Sequence, residues 1–266
     1  MCSVKENIIR FRGSKENEGL SLQEINKKML FKFEVLITED GNRMLVMPAD
    51  IAGIRGKVTI YIKVDGTAYK AVLSDVIELV GIKPTSKSVR AEGETFYVYN
   101  ELGTASNSSG YRAVKVPYSE AVWQPYKHML VAYAFGLIRS PYDECVINHI
   151  ASRSYGDSLG NIEVVSQSDN VLCGQFVNKV MGEFSFITYM SLSARQAHIL
   201  KHFIKSIREL VSRIEELPTQ VGSEFILDDI RYKLSPESIQ INCKLKNREY
   251  DNHMLIVIER SLYENS

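Results

Sequence analysis

The chain has 266 residues, 45% of them apolar, with 32 basic against 32 acidic side chains and a net charge of zero. That apolar content excludes a disordered chain, and no stretch reaches the ~18 uninterrupted apolar residues that a membrane span needs. A dedicated nucleic-acid binder is usually basic, and the even balance counts against one.

The length is enough for two or three compact units. The N-terminus lacks an apolar core and a small-residue cleavage site, so no signal peptide is expected. Cys2, Cys145, Cys173 and Cys243 are scattered and form no C-x-x-C pair, which disfavours a zinc ribbon and fits reduced thiols in a cytosol. Charge is uneven along the chain. Residues 1–32 hold seven Lys/Arg and four Glu, while residues 139–175 hold two Arg and five Asp/Glu. An acidic segment repels a phosphate backbone unless a cation sits there.

In chain order, residues 21–30 predict a short helix, with Ser21 and Glu24 spaced as a capping box. Residues 31–37, the turn 39–42 and residues 43–47 predict a hairpin, and residues 57–64, the turn Asp65-Gly66 and residues 67–72 predict a second. Residues 75–80 predict a short helix closed by Gly81. Residues 83–110 are rich in Ser, Gly, Thr and Glu and read as loop around a strand at 95–99, which places a boundary near 83–95. Residues 111–116 alternate like a strand, and residues 123–134 pass into a helix.

Residues 194–217 carry Ile199, Phe203, Ile207, Leu210 and Ile214 at helical spacing, with Ser193 and Gln196 as a capping box and Pro218 as a stop. Residues 224–234, 238–245 and 253–259 then predict a small antiparallel sheet. The apolar stripe of the 194–217 helix must be covered, by that sheet or by a second copy of the chain.

The chemistry-bearing stretch is Cys145-Val-Ile-Asn148-His149-Ile150, followed by Asn161-Ile-Glu-Val-Val-Ser166-Gln-Ser-Asp-Asn170. An apolar run delivers Asn148 and His149 to a strand end. Asn161 precedes a second apolar strand, and Ser166 is a good N-cap for a helix whose first turn holds Asn170. Hydrolysis of a phosphodiester needs a base for water and a divalent cation to neutralise developing charge. An imidazole, with an ordinary pKa near ~6.5, suits the base at neutral pH. Amide oxygens of Asn148 and Asn170 suit a hard cation, and Asn161 can hold its loop by bonds to backbone.

These blocks resemble the HNH endonucleases of the His-Me finger superfamily, especially the homing-endonuclease-like group. The first block is His128-Met129-Leu130-Val131-Ala132-Tyr133-Ala134-Phe135, the second Val146-Ile147-Asn148-His149-Ile150, and the third runs from Asn161 to Ser166 and ends at Asn170. Asn161 follows His149 by 12 residues and Asn170 follows it by 21, the intervals of that family. The resemblance spans about residues 110–175. It implies a ββα-metal fold, His149 as general base, Asn161 as the residue orienting it, Asn148 and Asn170 as ligands of Mg²⁺ or Mn²⁺, and His128 in a structural role. The chain departs from the pattern where Ala151-Ser152-Arg153-Ser154 replaces the Asp-Gly-Asn loop, where Met129 replaces Arg, and where Asn148 stands at a position often occupied by Asp.

A plainer alternative has Asn148, Asn161 and Asn170 capping turns and a helix, with His149 a hydrogen-bonded core histidine. His198 and His202 have a zinc-compatible spacing, but no Glu follows His198, and a solvated face is the better account. Tyr97, Tyr99, Tyr111, Tyr118, Trp123 and Tyr126 fit packing better than base stacking. Arg153, Lys201, Lys205 and Arg208 are weak candidates for phosphate contacts.

The expected architecture is α+β: a β-hairpin region over 1–90 for recognition, an HNH-like nuclease core over 91–180, and a long helix with a small antiparallel sheet over 181–266 for DNA binding or dimerisation. The expected function is metal-dependent cleavage of double-stranded DNA in the cytoplasm, at the nucleoid, with no membrane association and with homo-oligomerisation through the C-terminal region. The alternative is a catalytically weakened relative that binds DNA or serves in assembly.

Overall fold

The computed structural model describes residues 17–81, 87–106, 110–118, 121–143, 145–150, 156–191, 212, 214, 222, 224–227, 230–244 and 253–264. They form a mixed α and β protein. The chain divides into two compact units, Met1–Asp143 with Gly156–Ile162, and Glu144–Tyr155 with Glu163–Ser266. This differs from cuts near 90 and 180, because strands on both sides of residue 90 hydrogen-bond into one sheet.

In the first unit, α1 (Leu22–Leu30) starts at the expected capping box. Ser21 Oγ accepts from the Glu24 amide at 3.3 Å and the Glu24 carboxylate accepts from the Ser21 amide at 2.7 Å. The helix buries Ile25, Met29 and Leu30. The two expected hairpins follow as β1 (Glu34–Ile37) with β2 (Arg43–Val46) and β3 (Thr59–Ile62) with β4 (Ala68–Leu73). A helical turn, α2 (Ile77–Val80), is closed by Gly81 at φ 66°, as its sequence suggests.

The hairpins do not stand apart. β2 pairs with β3, and β4 pairs with β6 (Glu94–Glu101), which pairs with β5 (Ser88–Ala91). The resulting antiparallel sheet has the order β1-β2-β3-β4-β6-β5. It curls until its outer strands meet, through a bridge between Thr38 and Ala91 and a bond from the Glu39 amide to the Arg90 carbonyl at 2.9 Å. Such a meeting covers edges that would otherwise template pairing with another chain. Leu36, Met44, Tyr61, Val89, Phe96 and Val98 fill the interior.

Strand β5 was expected to be loop. Its hairpin turns on Glu92 and Gly93, at φ 50° and 84°, the double positive φ of a two-residue turn. Glu-Gly lacks the strong signal of Asn-Gly, and only the burial of Val89 and Ala91 within the curled sheet explains the strand. Further along, β7 (Thr104–Ser106) pairs with β8 (Arg112–Val114), and β9 (Val116–Tyr118) with β10 (Ala121–Trp123). Trp123 is buried and stacks on Phe33 at 5.1 Å, a packing role rather than a base-stacking one. Helix α3 (Lys127–Ala134) buries His128, Leu130, Val131, Ala132 and Ala134.

In the second unit, β11 (Val146–His149) and β12 (Ile162–Val165) form a two-stranded sheet, and α4 (Gln167–Glu183) follows directly. The expected C-terminal sheet is present as β14 (Glu224–Leu227), β15 (Ile230–Leu234), β16 (Ser238–Lys244) and β17 (His253–Glu259). A fifth strand, β13 (Ile187–Ser191), which the sequence pattern did not single out, pairs with β17 and gives the order β13-β17-β16-β15-β14. Alternate residues of the sheet, Ile239 with Ile241 and Ile256 with Ile258, point into one core, against Cys173, Phe176 and Val180 of α4. A short helix, α5 (Arg260–Tyr263), ends the described chain, with Tyr263 edge-on to Phe186.

The helix expected over 194–217 lies outside the described residues apart from 212 and 214, and so do His198 and His202. Of its apolar stripe, Ile214 is described, and it is buried in the core of the second unit. Among the described residues no helix is long and apolar enough to cross a membrane.

Candidate active site

The second unit carries Asn148, His149 and Asn170. The apolar run before Asn148 forms β11 as expected, and His149 is its last residue, half-buried. Across the two-stranded sheet, the Asn148 amide nitrogen donates to a Glu163 carboxylate oxygen at 2.9 Å. That bond turns the amide oxygen of Asn148 away from Glu163 and sets a negative charge beside a neutral donor.

Ser166 caps α4. Its hydroxyl oxygen accepts from the Asp169 amide at 3.1 Å, and the Asp169 carboxylate lies 2.8 Å from the same hydroxyl. An acidic residue in the first turn also suits the positive end of the helix dipole. Asn170 is the fourth residue of the helix, half-buried, and its amide donates to the Ser166 carbonyl at 3.0 Å. Helix α4 packs on β11, so the strand of Asn148 and His149 and the helix of Asn170 are neighbours. Replacing Ser166 with Ala is expected to lower the stability of the second unit by about 0.5–2 kcal/mol, by leaving helix amides without an acceptor. The shift in a urea midpoint followed by circular dichroism checks it.

One turn further, burial raises the Cys173 thiol to about 11, and the charges of Glu163 and Asp169 add to the effect. The thiol therefore stays protonated and unreactive at neutral pH. Its shift also reports that Glu163 and Asp169 concentrate negative charge on this side of the helix. Neither Cys145 nor Cys173 is in a disulfide.

Asn161 belongs with the first unit. It is buried, and its amide nitrogen donates to the Gly156 carbonyl at 2.7 Å. This is the loop-holding bond expected of it. The same segment carries Asp157, also buried. Sequence patterns gave no weight to Asp157, yet a carboxylate oxygen of it lies within 4.8 Å of a His128 ring nitrogen. His128 is stacked on Tyr126 and tilted against Tyr111, with ring centroids at 5.5 and 5.1 Å. Its burial among aromatics on α3 accords with a structural role, and a nearby carboxylate lowers the cost of burying an imidazole. Tyr126 is committed to that stack.

Arg153, Lys201, Lys205 and Arg208 lie outside the described residues. Glu163 was missed by sequence reasoning. Its signal was a single charged residue within the otherwise apolar strand β12.

No protein-family model, no curated protein and no solved structure matches the chain.

Proposed function

We propose that the chain is a divalent-metal-dependent DNA endonuclease of the HNH type, acting on double-stranded DNA. The observation that carries this reading is local. A two-stranded sheet, β11 with β12, runs directly into the Ser166-capped α4, with His149 closing the first strand and Asn170 in the opening turns of the helix. That order of elements supports the reading suggested by the second and third sequence blocks.

The donor set suits a hard cation. Asn148 and Asn170 offer amide oxygens, and the bond from the Asn148 amide nitrogen to Glu163 at 2.9 Å fixes the orientation of the Asn148 amide. Asn148 and Asn170 would hold Mg²⁺ or Mn²⁺, and the ion would supply neutralisation of the charge that develops in phosphodiester hydrolysis. The residues of the chain do the rest. His149 accepts a proton from water as the water oxygen bonds to phosphorus and the ester bond to the leaving oxygen breaks. Asn161 holds the loop before β12 through its bond to the Gly156 carbonyl.

The test is cleavage of supercoiled plasmid in Mg²⁺, in Mn²⁺ and in EDTA. Nicked or linear product is expected with either metal and none with EDTA. Asn170→Ala is expected to raise the Mg²⁺ concentration for half-maximal rate about tenfold or more, with excess metal restoring part of the rate. Asn148→Asp is expected to lower it, since a carboxylate replaces a neutral amide. Salt-sensitive DNA binding without cleavage in any divalent metal would select the catalytically weakened relative instead.

A further inference from the structure

The loop before β12 is held from a second direction, by the hairpin of β3 and β4. The Leu159 amide donates to the Val64 carbonyl at 2.9 Å. Gly66, at φ 83°, lies so close to the loop that a Cβ there would stand 2.6 Å from the Asp157 carbonyl oxygen and 2.8 Å from its carbon. Backbone cannot yield to such a contact as a side-chain tip can. Glycine is therefore required at 66 twice over, by its φ and by the approach of the loop.

The turn itself is stiff. The Gly66 amide bonds the Lys63 carbonyl and the Lys63 amide bonds the Thr67 carbonyl, each at 2.9 Å. Asp65 accepts from the Thr67 amide and from Lys63 Nζ, each at 2.8 Å. The Val64 amide is taken by the Asn42 side chain at 3.1 Å, so the turn is tied to the β1–β2 turn as well. All of these residues, with Asp157, Leu159 and Asn161, belong to the first unit.

We infer that the Val64–Gly66 turn is a positioning element for the loop carrying Asn161, the residue to which the nuclease reading gives the orientation of its base. The inference rests on the nuclease reading for its effect on rate, and on the first unit alone for its effect on the loop. The curled sheet then fixes the conformation on which Asn161 depends.

The experiment compares Gly66→Ala with Gly93→Ala. Gly93 has φ 84° in another hairpin of the same sheet, with nothing within 4 Å of an added Cβ. Both variants place an alanine at nearly the same positive φ, and only the first strikes the loop. Two readouts are taken on the full chain: amide hydrogen exchange at Leu159, and the plasmid cleavage rate at saturating and limiting DNA. Gly66→Ala is expected to speed Leu159 exchange and to lower kcat by about tenfold or more, with KM changed by less than about twofold, as for a misplaced catalytic group. Gly93→Ala is expected to leave both near the parent. Equal losses of kcat in the two variants, or unchanged exchange at Leu159 in Gly66→Ala, would overturn the inference. Faster exchange with unaltered kcat would overturn the link to rate. A parent that cleaves no DNA removes the nuclease reading, and the exchange comparison still decides whether the turn holds the loop.

Discussion

His149→Ala is expected to cost about 10²–10⁴-fold in the rate of DNA cleavage, the usual scale for a general base, with folding and DNA affinity nearly intact. His149 is half-buried at a strand end. Truncating it removes a proton acceptor without opening a large core cavity. The loss should differ in kind from that of Asn170→Ala, because added Mg²⁺ restores a missing ligand and cannot restore a missing base. Single-turnover cleavage across a Mg²⁺ titration separates the two. A variant that cleaves at the parent rate ends the assignment of His149 as base.

Phe96→Ala is expected to destabilise the first unit by about 3–5 kcal/mol, the range for emptying a fully buried aromatic site. Phe96 lies on β6 between two partners, opposite Leu73 on β4 and Val89 on β5, and is fully buried. Its ring thus joins the strands that complete the curled sheet. The chain has one tryptophan, Trp123, which is buried in the first unit, so its fluorescence reports this unit. A urea titration followed by that fluorescence should show a large fall in midpoint with little change in slope. A stability within about 0.5 kcal/mol of the parent would mean that the sheet does not depend on this ring.

The elements legible beforehand are those with short-range causes. The capping box at Ser21 and Glu24, the cap at Ser166 and the Gly81 stop each act within one helical turn, so their residue types suffice to place a helix end. The β1–β2 and β3–β4 hairpins were likewise visible in their turns and in their alternating apolar residues. Asn161 was identified as a loop-holding residue, and its bond to the Gly156 carbonyl is of that kind.

What escaped has long-range causes. β5 and β13 are short strands without strong turn signals, and each exists because a distant strand pairs with it. The contact of Thr38 with Ala91 joins residues that no local periodicity connects. The same holds for Glu163 beside Asn148 and for Gly66 against Asp157. Sequence alone determined the local vocabulary of this protein: which segments turn, which are capped, and which polar residue types stand at the strand and helix ends. Tertiary structure alone decided that two hairpins become one curled sheet, that a glutamate supplies charge next to Asn148, and that a glycine turn reaches the loop of Asn161. The physical reason is one of range. Caps and turns are settled by bonds within a few residues, whereas strand partners, buried charges and close backbone approaches are settled by the packing of the whole unit.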